Sequence, residues 1–398
     1  MIITKTKARQ VLDSRGNPTV EVEINGFTAI APSGASTGLL EVKELRDERK
    51  SFGGKSVYKA VENALRAGFL AEGKNFPSLD SFDRFLKELN EKKTLGGNTT
   101  IALSMAFCKA YASNQGVSLS EFIAHNSFGA QRLPCPAANL INGGMHADNG
   151  LSVQEHMVLP LKTKSFSEAV QCVVETRMEL KKMLEKKKLS TLVGDEGGFA
   201  PKIKTTREAL SLIQKSLEKT GWEDKAFLGL DCAASSFYKK GKYVFQGKKL
   251  SKDGLLKELL KLAKEFNLKY VEDPFFEKDF SAYKELNQET MVVGDDLTVT
   301  NSELIEKAVG SISGVIIKPN QIGYVSDAIK AGKTARKNNI TLTTSHRSGD
   351  SEDSFISDFA TGVKAELFKL GAPCRGERTS KYNELLRIEE RGTPYFHY

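Results

Sequence analysis

Cysteine is sparse in the 398-residue chain. Cys108, Cys135, Cys172, Cys232 and Cys374 are odd in number, far apart and never spaced as C-x-x-C. That argues against a zinc or disulfide framework and fits reduced thiols in a cytosol-like compartment. No stretch approaches the roughly 18 uninterrupted apolar residues of a membrane span. The opening Met1-Ile2-Ile3-Thr4-Lys5-Thr6-Lys7 lacks the apolar core of a signal peptide, so secretion by that route is not expected and a cytoplasmic location is. No G-x-G-x-x-G or G-x-x-x-x-G-K-[ST] loop marks a nucleotide site. Internal repeats and low-complexity segments are also missing.

What is present is an ordinary globular balance, 40% hydrophobic against 27% charged, which argues against long disorder. At about 150 residues per domain the length suggests two or three domains, softened because one α/β barrel alone takes about 250. Lys and Arg number 58 against 50 Asp and Glu, a net charge of +8. Such a field suits nucleic acid, an anionic surface or a small phosphorylated substrate. The densest run (Lys181, Lys182, Lys186, Lys187, Lys188) reads as a solvated helix face rather than a binding patch.

The first part of the chain reads as strands, then helices. Val20, Val22 and Ile24 alternate with Glu21 and Glu23, and Asn25-Gly26 supplies a two-residue type I′ turn into Phe27–Ile30. A loop of small residues, Pro32 to Gly38, is either a connector or a mobile lid. Val57, Ala60, Val61, Ala64, Leu65 and Phe69 recur at helical spacing, and Thr100 to Ser113 continues helical. An α+β capping domain over residues 1–132 is expected, ending where Leu133-Pro134-Cys135-Pro136 breaks any helix.

Residues 133–398 follow a different rule. Short apolar runs end at Asp231, Glu272, Asp295, Lys318 and His346, and most are followed by a helical pattern such as Leu255 to Phe266 or Val325 to Arg336. Alternating strands and helices mean a parallel sheet, and this many units predict closure into a β/α barrel, with an open doubly wound sheet as the alternative. Barrel sites lie at the carboxyl ends of the strands, where these chargeable residues fall.

Asp231, Glu272 and Asp295 end three consecutive apolar runs. Three converging carboxylates repel unless a hard cation such as Mg²⁺ joins them; the bland alternative is that one or two cap the following helices. Lys318, at the mouth of the barrel, is either a general base with a lowered pKa or the salt-bridge partner of a barrel carboxylate. Glu196, in Gly194-Asp195-Glu196-Gly197-Gly198, is either a general acid or part of an acidic turn. His346-Arg347-Ser348-Gly349 suits a phosphate oxyanion, although Arg347 could be a structural ion-pair partner. His146 sits in a polar, glycine-marked loop and reads equally as functional or structural; His125, His156 and His397 read as structural or surface residues. Together these groups fit proton abstraction next to a metal-bound carboxylate, followed by loss of a leaving group.

The same segments resemble the enolase family over essentially the whole chain. The resemblance is carried by Val11 to Val20, Ser33 to Gly38, Gly194 to Pro201, Glu272-Asp273-Pro274-Phe275, Gly294-Asp295-Asp296-Leu297, Lys318 to Gly323, Ser345 to Gly349 and Leu385 to Glu390. That superfamily pairs a Lys or His base with one or two Mg²⁺ ions, so the base assigned to Lys318 is not independent of the resemblance. It implies Mg²⁺-dependent interconversion of 2-phosphoglycerate and phosphoenolpyruvate. Lys318 would take the C2 proton, and Glu196, with Glu155 beside it, would protonate the departing hydroxyl. Asp231, Glu272 and Asp295 would hold the first Mg²⁺, and Ser36 would help hold a second that arrives with substrate. Arg347 and Ser348 would bind phosphate, while His146, Gln154, His346 and Lys369 would complete substrate binding or lid closure. The resemblance also implies a barrel with an antiparallel start and a homodimer or higher assembly. His156 and Tyr324 stand where Phe and Thr are usual. Another carboxylate-enolising enzyme of the superfamily, or an enolase-like protein binding RNA or a surface partner, are the alternatives; nucleic acid or surface proteins are expected only in a secondary role.

Overall fold

The computed structural model describes residues 1–35, 37–47, 50–92, 94–125 and 128–398. Its amino-terminal part opens with an antiparallel sheet of β1 (Thr6–Leu12), β2 (Pro18–Ile24) and β3 (Phe27–Ile30). Asn25 and Gly26 both take positive φ (50° and 90°), as a type I′ turn requires, and Ile24 pairs with Phe27 across it. Four helices follow: α1 (Tyr58–Ala71), α2 (Leu79–Leu89), α3 (Gly97–Asn114) and α4 (Leu119–His125).

Helix α1 buries a different face from the one its large apolar residues suggest. Ala60, Ala64, Ala67, Gly68 and Ala71 are buried, whereas Phe69 is 76% exposed. The reason is close packing against the sheet: a Cβ on Gly68 would lie 2.4 Å from the Thr6 side chain, so only a stripe of small residues can face β1.

The barrel is closed by eight strands in the ring order β10, β11, β12, β13, β14, β4, β5, β6. They are β4 (Cys135–Asn142), β5 (Glu155–Leu159), β6 (Phe227–Asp231), β10 (Tyr270–Glu272), β11 (Val292–Gly294), β12 (Gly314–Ile317), β13 (Thr341–Ser345) and β14 (Leu367–Lys369). A small ribbon, β7 (Tyr238–Lys239), β8 (Lys242–Phe245) and β9 (Lys248–Leu250), is inserted along the chain between β6 and β10, which still pair directly, and has no counterpart in the sequence reading. The helices around the barrel are α5 (Phe166–Lys186), α6 (Thr206–Thr220), α7 (Lys252–Phe266), α8 (Phe280–Leu286), α9 (Ser302–Lys307), α10 (Pro319–Ile322), α11 (Val325–Lys337), α12 (Phe355–Gly362) and α13 (Gly376–Glu390).

The barrel strands are buried on both faces, which is why they read as continuous apolar runs. Along β12, Ile316 joins one buried cluster with Tyr270, Val293 and Phe368, while Val315 and Ile317 on the opposite face join the other. Strand β5 runs antiparallel to both its neighbours, the antiparallel start implied by the resemblance. Its reversal brings Glu155, its first residue, to the same rim as Asp231, the last residue of β6. The basic run ends α5 on an exposed face with Lys181 near Glu185 and Lys182 near Glu179, a solvated surface as expected. No described helix is long and apolar enough to cross a membrane.

Candidate active site

One cavity at the carboxyl rim is lined by His146, Gln154, Glu155, Glu196, Asp231, Asp295, Lys318, His346, Arg347, Ser348 and Lys369, together with Gly34 and Ser345. Glu272 adjoins it through Lys369. Ser36 lies outside the described residues. A wider cleft of about 680 Å³ opens beside it, between residues 32–35 and 37–39, Arg15, Arg46 and Lys55, but holds little of this chemistry.

Each carboxylate of the expected metal trio has one oxygen anchored. Asp231 Oδ1 accepts from the Ala233 amide at 2.9 Å, Glu272 Oε2 from the Tyr270 hydroxyl at 2.6 Å, and Asp295 Oδ1 from Gln321 Nε2 at 2.9 Å. The other oxygens face lysines: Lys369 Nζ lies 2.7 Å from Asp231 Oδ2 and 2.8 Å from Glu272 Oε1, and Lys318 Nζ bonds Asp295 Oδ2. Among the described residues, the donor sets gathered within 4.8 Å are His146–Glu155–Glu196 and Asp273–Asp295–Asp296, not the expected trio, which has lysines seated among its members.

The charges still leave room for a cation. Burial, and then the neighbouring Asp231, push Glu272 up to about 8, the mark of a site short of positive charge. Hard oxygen donors, buried and oriented by their second oxygens, suit a divalent ion such as Mg²⁺.

Lys318 departs from one expectation. Burial and the nearby cations Arg347 and Lys369 pull its pKa down, but the surrounding carboxylates, Asp295 foremost and Glu272 with it, more than offset them and the net direction is up. The alternative reading, a salt bridge to a barrel carboxylate, is the arrangement found. Asp295 is correspondingly held at about 2, against burial, chiefly by Lys318. The lysine directly follows β12 and is braced by the loop after β11, in which Val299 and Thr300 take positive φ (41° and 57°); Thr300 Oγ1 accepts from the Lys318 amide at 2.9 Å and donates to Gln321 Oε1 at 2.7 Å.

Across the rim, Glu155 and Glu196 sit together with different protonation. Burial and the Glu196 charge raise Glu155 well above the carboxylate range, so Glu155 holds the proton of the pair. Burial also acts to raise Glu196, but His146 Nδ1 and His346 Nε2, each 3.3 Å from its oxygens, hold it well below that range. Asn139 Nδ2 donates to Glu196 Oε2 at 3.2 Å. Burial keeps His346 neutral, at about 4, so it gives Glu196 a dipole rather than a charge. His156 is buried and neutral at about 4, its Nδ1 on the Ile141 carbonyl, while His125 and His397 are exposed.

The anion loop is tied to the amino-terminal segment. Ser33 and Gly349 exchange backbone hydrogen bonds at 2.7 and 2.8 Å, and Ser348 Oγ accepts from the Ala35 amide at 2.6 Å. Arg347 reaches Glu41. Sequence reasoning missed Glu41, Asn139, Gln321 and Arg378. Asn139 lies within β4 rather than at its end, and none of the four closes a strand-like apolar run, so the local pattern carried no signal for them.

Fold and site together make a closed β/α barrel whose carboxyl rim gathers carboxylates, lysines and an arginine in one cavity. Residues 3–123 match the family model "Enolase, N-terminal domain", and residues 130–397 match "Enolase, C-terminal TIM barrel domain". The enolase of Methanococcus maripaludis is 43% identical over 406 residues, covering 98% of this chain and 95% of its own. That of Methanocaldococcus jannaschii is 44% identical over 400 residues (96% and 94%), and that of Saccharolobus islandicus 41% over 421 residues (99% and 98%). The chain belongs to the enolase family, and its activity is that family's: a hydro-lyase, phosphopyruvate hydratase, acting with a divalent metal.

Proposed function

We propose that the chain dehydrates 2-phosphoglycerate by elimination across the mouth of the barrel, with Lys318 as base and the Glu155–Glu196 pair as acid. The carrying observation is their placement: β12 is third and β5 seventh in the eight-strand ring, so Lys318 and Glu155 start from opposite sides of one cavity. Lys318 takes the C2 proton. The C3–O bond breaks as the proton held by Glu155 passes through Glu196 to the hydroxyl, which leaves as water, and Glu155 is left ionised. Arg347 and Ser348 hold the phosphate, while His146, Gln154, His346 and Lys369 orient the rest of the substrate.

Two Mg²⁺ ions, one at Asp231, Glu272 and Asp295 and one reached by Ser36, would supply the positive charge that a doubly negative enolate requires and compete with Lys318 for Asp295. On this reading residues 1–132 cap the barrel of residues 133–398, and the chain acts in the cytoplasm as a homodimer or larger assembly.

Hydrogen exchange separates the roles. Lys318→Ala should abolish exchange of the C2 hydrogen with solvent and lower kcat by about a hundredfold or more. Glu196→Gln should suppress dehydration while leaving some C2 exchange. Persisting exchange in the first variant, or equal loss of both in the second, would undo the assignment.

A further inference from the structure

Helix α13 sends one side chain into the site from behind. Arg378 is completely buried, and its Nη1 lies 2.6 Å from His346 Nδ1. A guanidinium has donors and no acceptor, so the imidazole nitrogen facing it must be the unprotonated one. The proton of neutral His346 therefore resides on Nε2, which faces Glu196 Oε1 at 3.3 Å and has no well-aligned partner among the described residues. Long, poorly aligned contacts of this kind are expected before substrate binds.

We infer that Arg378 is a positioning residue that locks His346 in the Nε2–H tautomer, making it a fixed donor toward Glu196 and the leaving hydroxyl and barring it from taking a second proton on Nδ1. The role of that donor rests on the acid assignment proposed above.

Two further observations bear on this. Arg378 also donates to the carbonyls of Arg347 and Ser348 at 2.6 Å each and of Asp195 at 3.2 Å, so one guanidinium pins both loops that face the cavity. Gly371, at φ 77°, sits where the parts converge: a Cβ there would lie 2.7 Å from the Glu196 carbonyl, 3.0 Å from His346 Cε1 and 3.1 Å from Arg378 Cδ. The charged groups acting on His346 are Glu196 and Asp350, which favour its protonation, and Arg378, which opposes it. Burial adds to Arg378 and the neutral form wins.

The chain has five histidines, few enough to resolve by nitrogen NMR of the histidine-labelled protein. In the wild type His346 should show a protonated Nε2 and a bare Nδ1 throughout the neutral range. A proton on Nδ1, or an imidazolium, would overturn the inference without any variant and without touching the acid assignment. Arg378→Met removes the donor; His346 should then mix tautomers and begin to titrate, with a new limb in the pH dependence of kcat. Misaligning the donor should lower kcat by about tenfold to a hundredfold with KM changed far less. Arg378→Lys, which still donates, should restore the tautomer and part of the rate. An unchanged tautomer or pH profile in Arg378→Met would sink the proposal. Failure of the Glu196→Gln split, with the tautomer as stated, would instead remove the acid role and leave the lock in place.

Discussion

Arg347 of the barrel rim is paired with Glu41 of the amino-terminal segment, Nη1 to Oε2 at 3.0 Å and Nη2 to Oε1 at 3.3 Å, and both side chains are buried. The arginine assigned to phosphate thus already faces an anion supplied by the chain itself. Glu41 also accepts from the Gly38 amide at 3.1 Å and from Gln321 Nε2 at 3.3 Å, which holds it in place. On the proposed assignment, an incoming phosphate would compete with this carboxylate.

Glu41→Gln keeps the shape and removes the competing charge. Inhibition by inorganic phosphate should tighten by about tenfold, equivalent to about 1.4 kcal/mol. Unchanged or weaker inhibition would show that Glu41 orients Arg347 rather than opposing its ligand.

Metal binding should be visible without turnover. A cation that binds only the folded chain stabilises it by about 2.7 kcal/mol at a hundred times its Kd, so Mg²⁺ should raise the melting temperature and chelator should reverse the gain. Asp295→Asn or Asp231→Asn should lose most of that response while remaining folded. An undiminished Mg²⁺ response in both variants would move the metal elsewhere.

The two parts of the chain are joined by a titratable cap. Asp83 on α2 accepts from the Ser326 amide at the start of α11 at 3.0 Å, while Val325 N donates to Ser104 Oγ, also at 3.0 Å. Burial raises Asp83 from 3.8 to about 6, against the helping hydrogen bonds of Ser326 and Ser104. A carboxyl raised on folding favours the folded state below its unfolded pKa, and that contribution is lost as pH climbs through the folded value. Over this interval the loss is about 3 kcal/mol. Asp83→Asn should therefore melt higher than wild type above about pH 6, and the gap should close toward pH 4. A gap independent of pH would mean the carboxylate is not what costs stability there.

Much of the fold was legible in one dimension because its signals are local. The Asn25-Gly26 turn, the apolar runs of the barrel and the residues ending them all follow from backbone sterics and short-range burial patterns. Helix α1 shows the limit. Spacing placed the helix, but the face it buries was chosen by how closely β1 approaches at Gly68 and Thr6.

The sequence by itself determined which chemical groups stand at the strand ends, since each follows its own apolar run. Only the tertiary structure decided how those groups are charged, because the partners are distant along the chain. Asp295 lies 23 residues from Lys318, Asp231 138 from Lys369, Arg378 32 from His346, and Glu41 306 from Arg347. Protonation in a buried site depends on which charges and dipoles meet at about 3 Å, and closing the barrel, with the amino-terminal segment packed on its rim, is what brings these together.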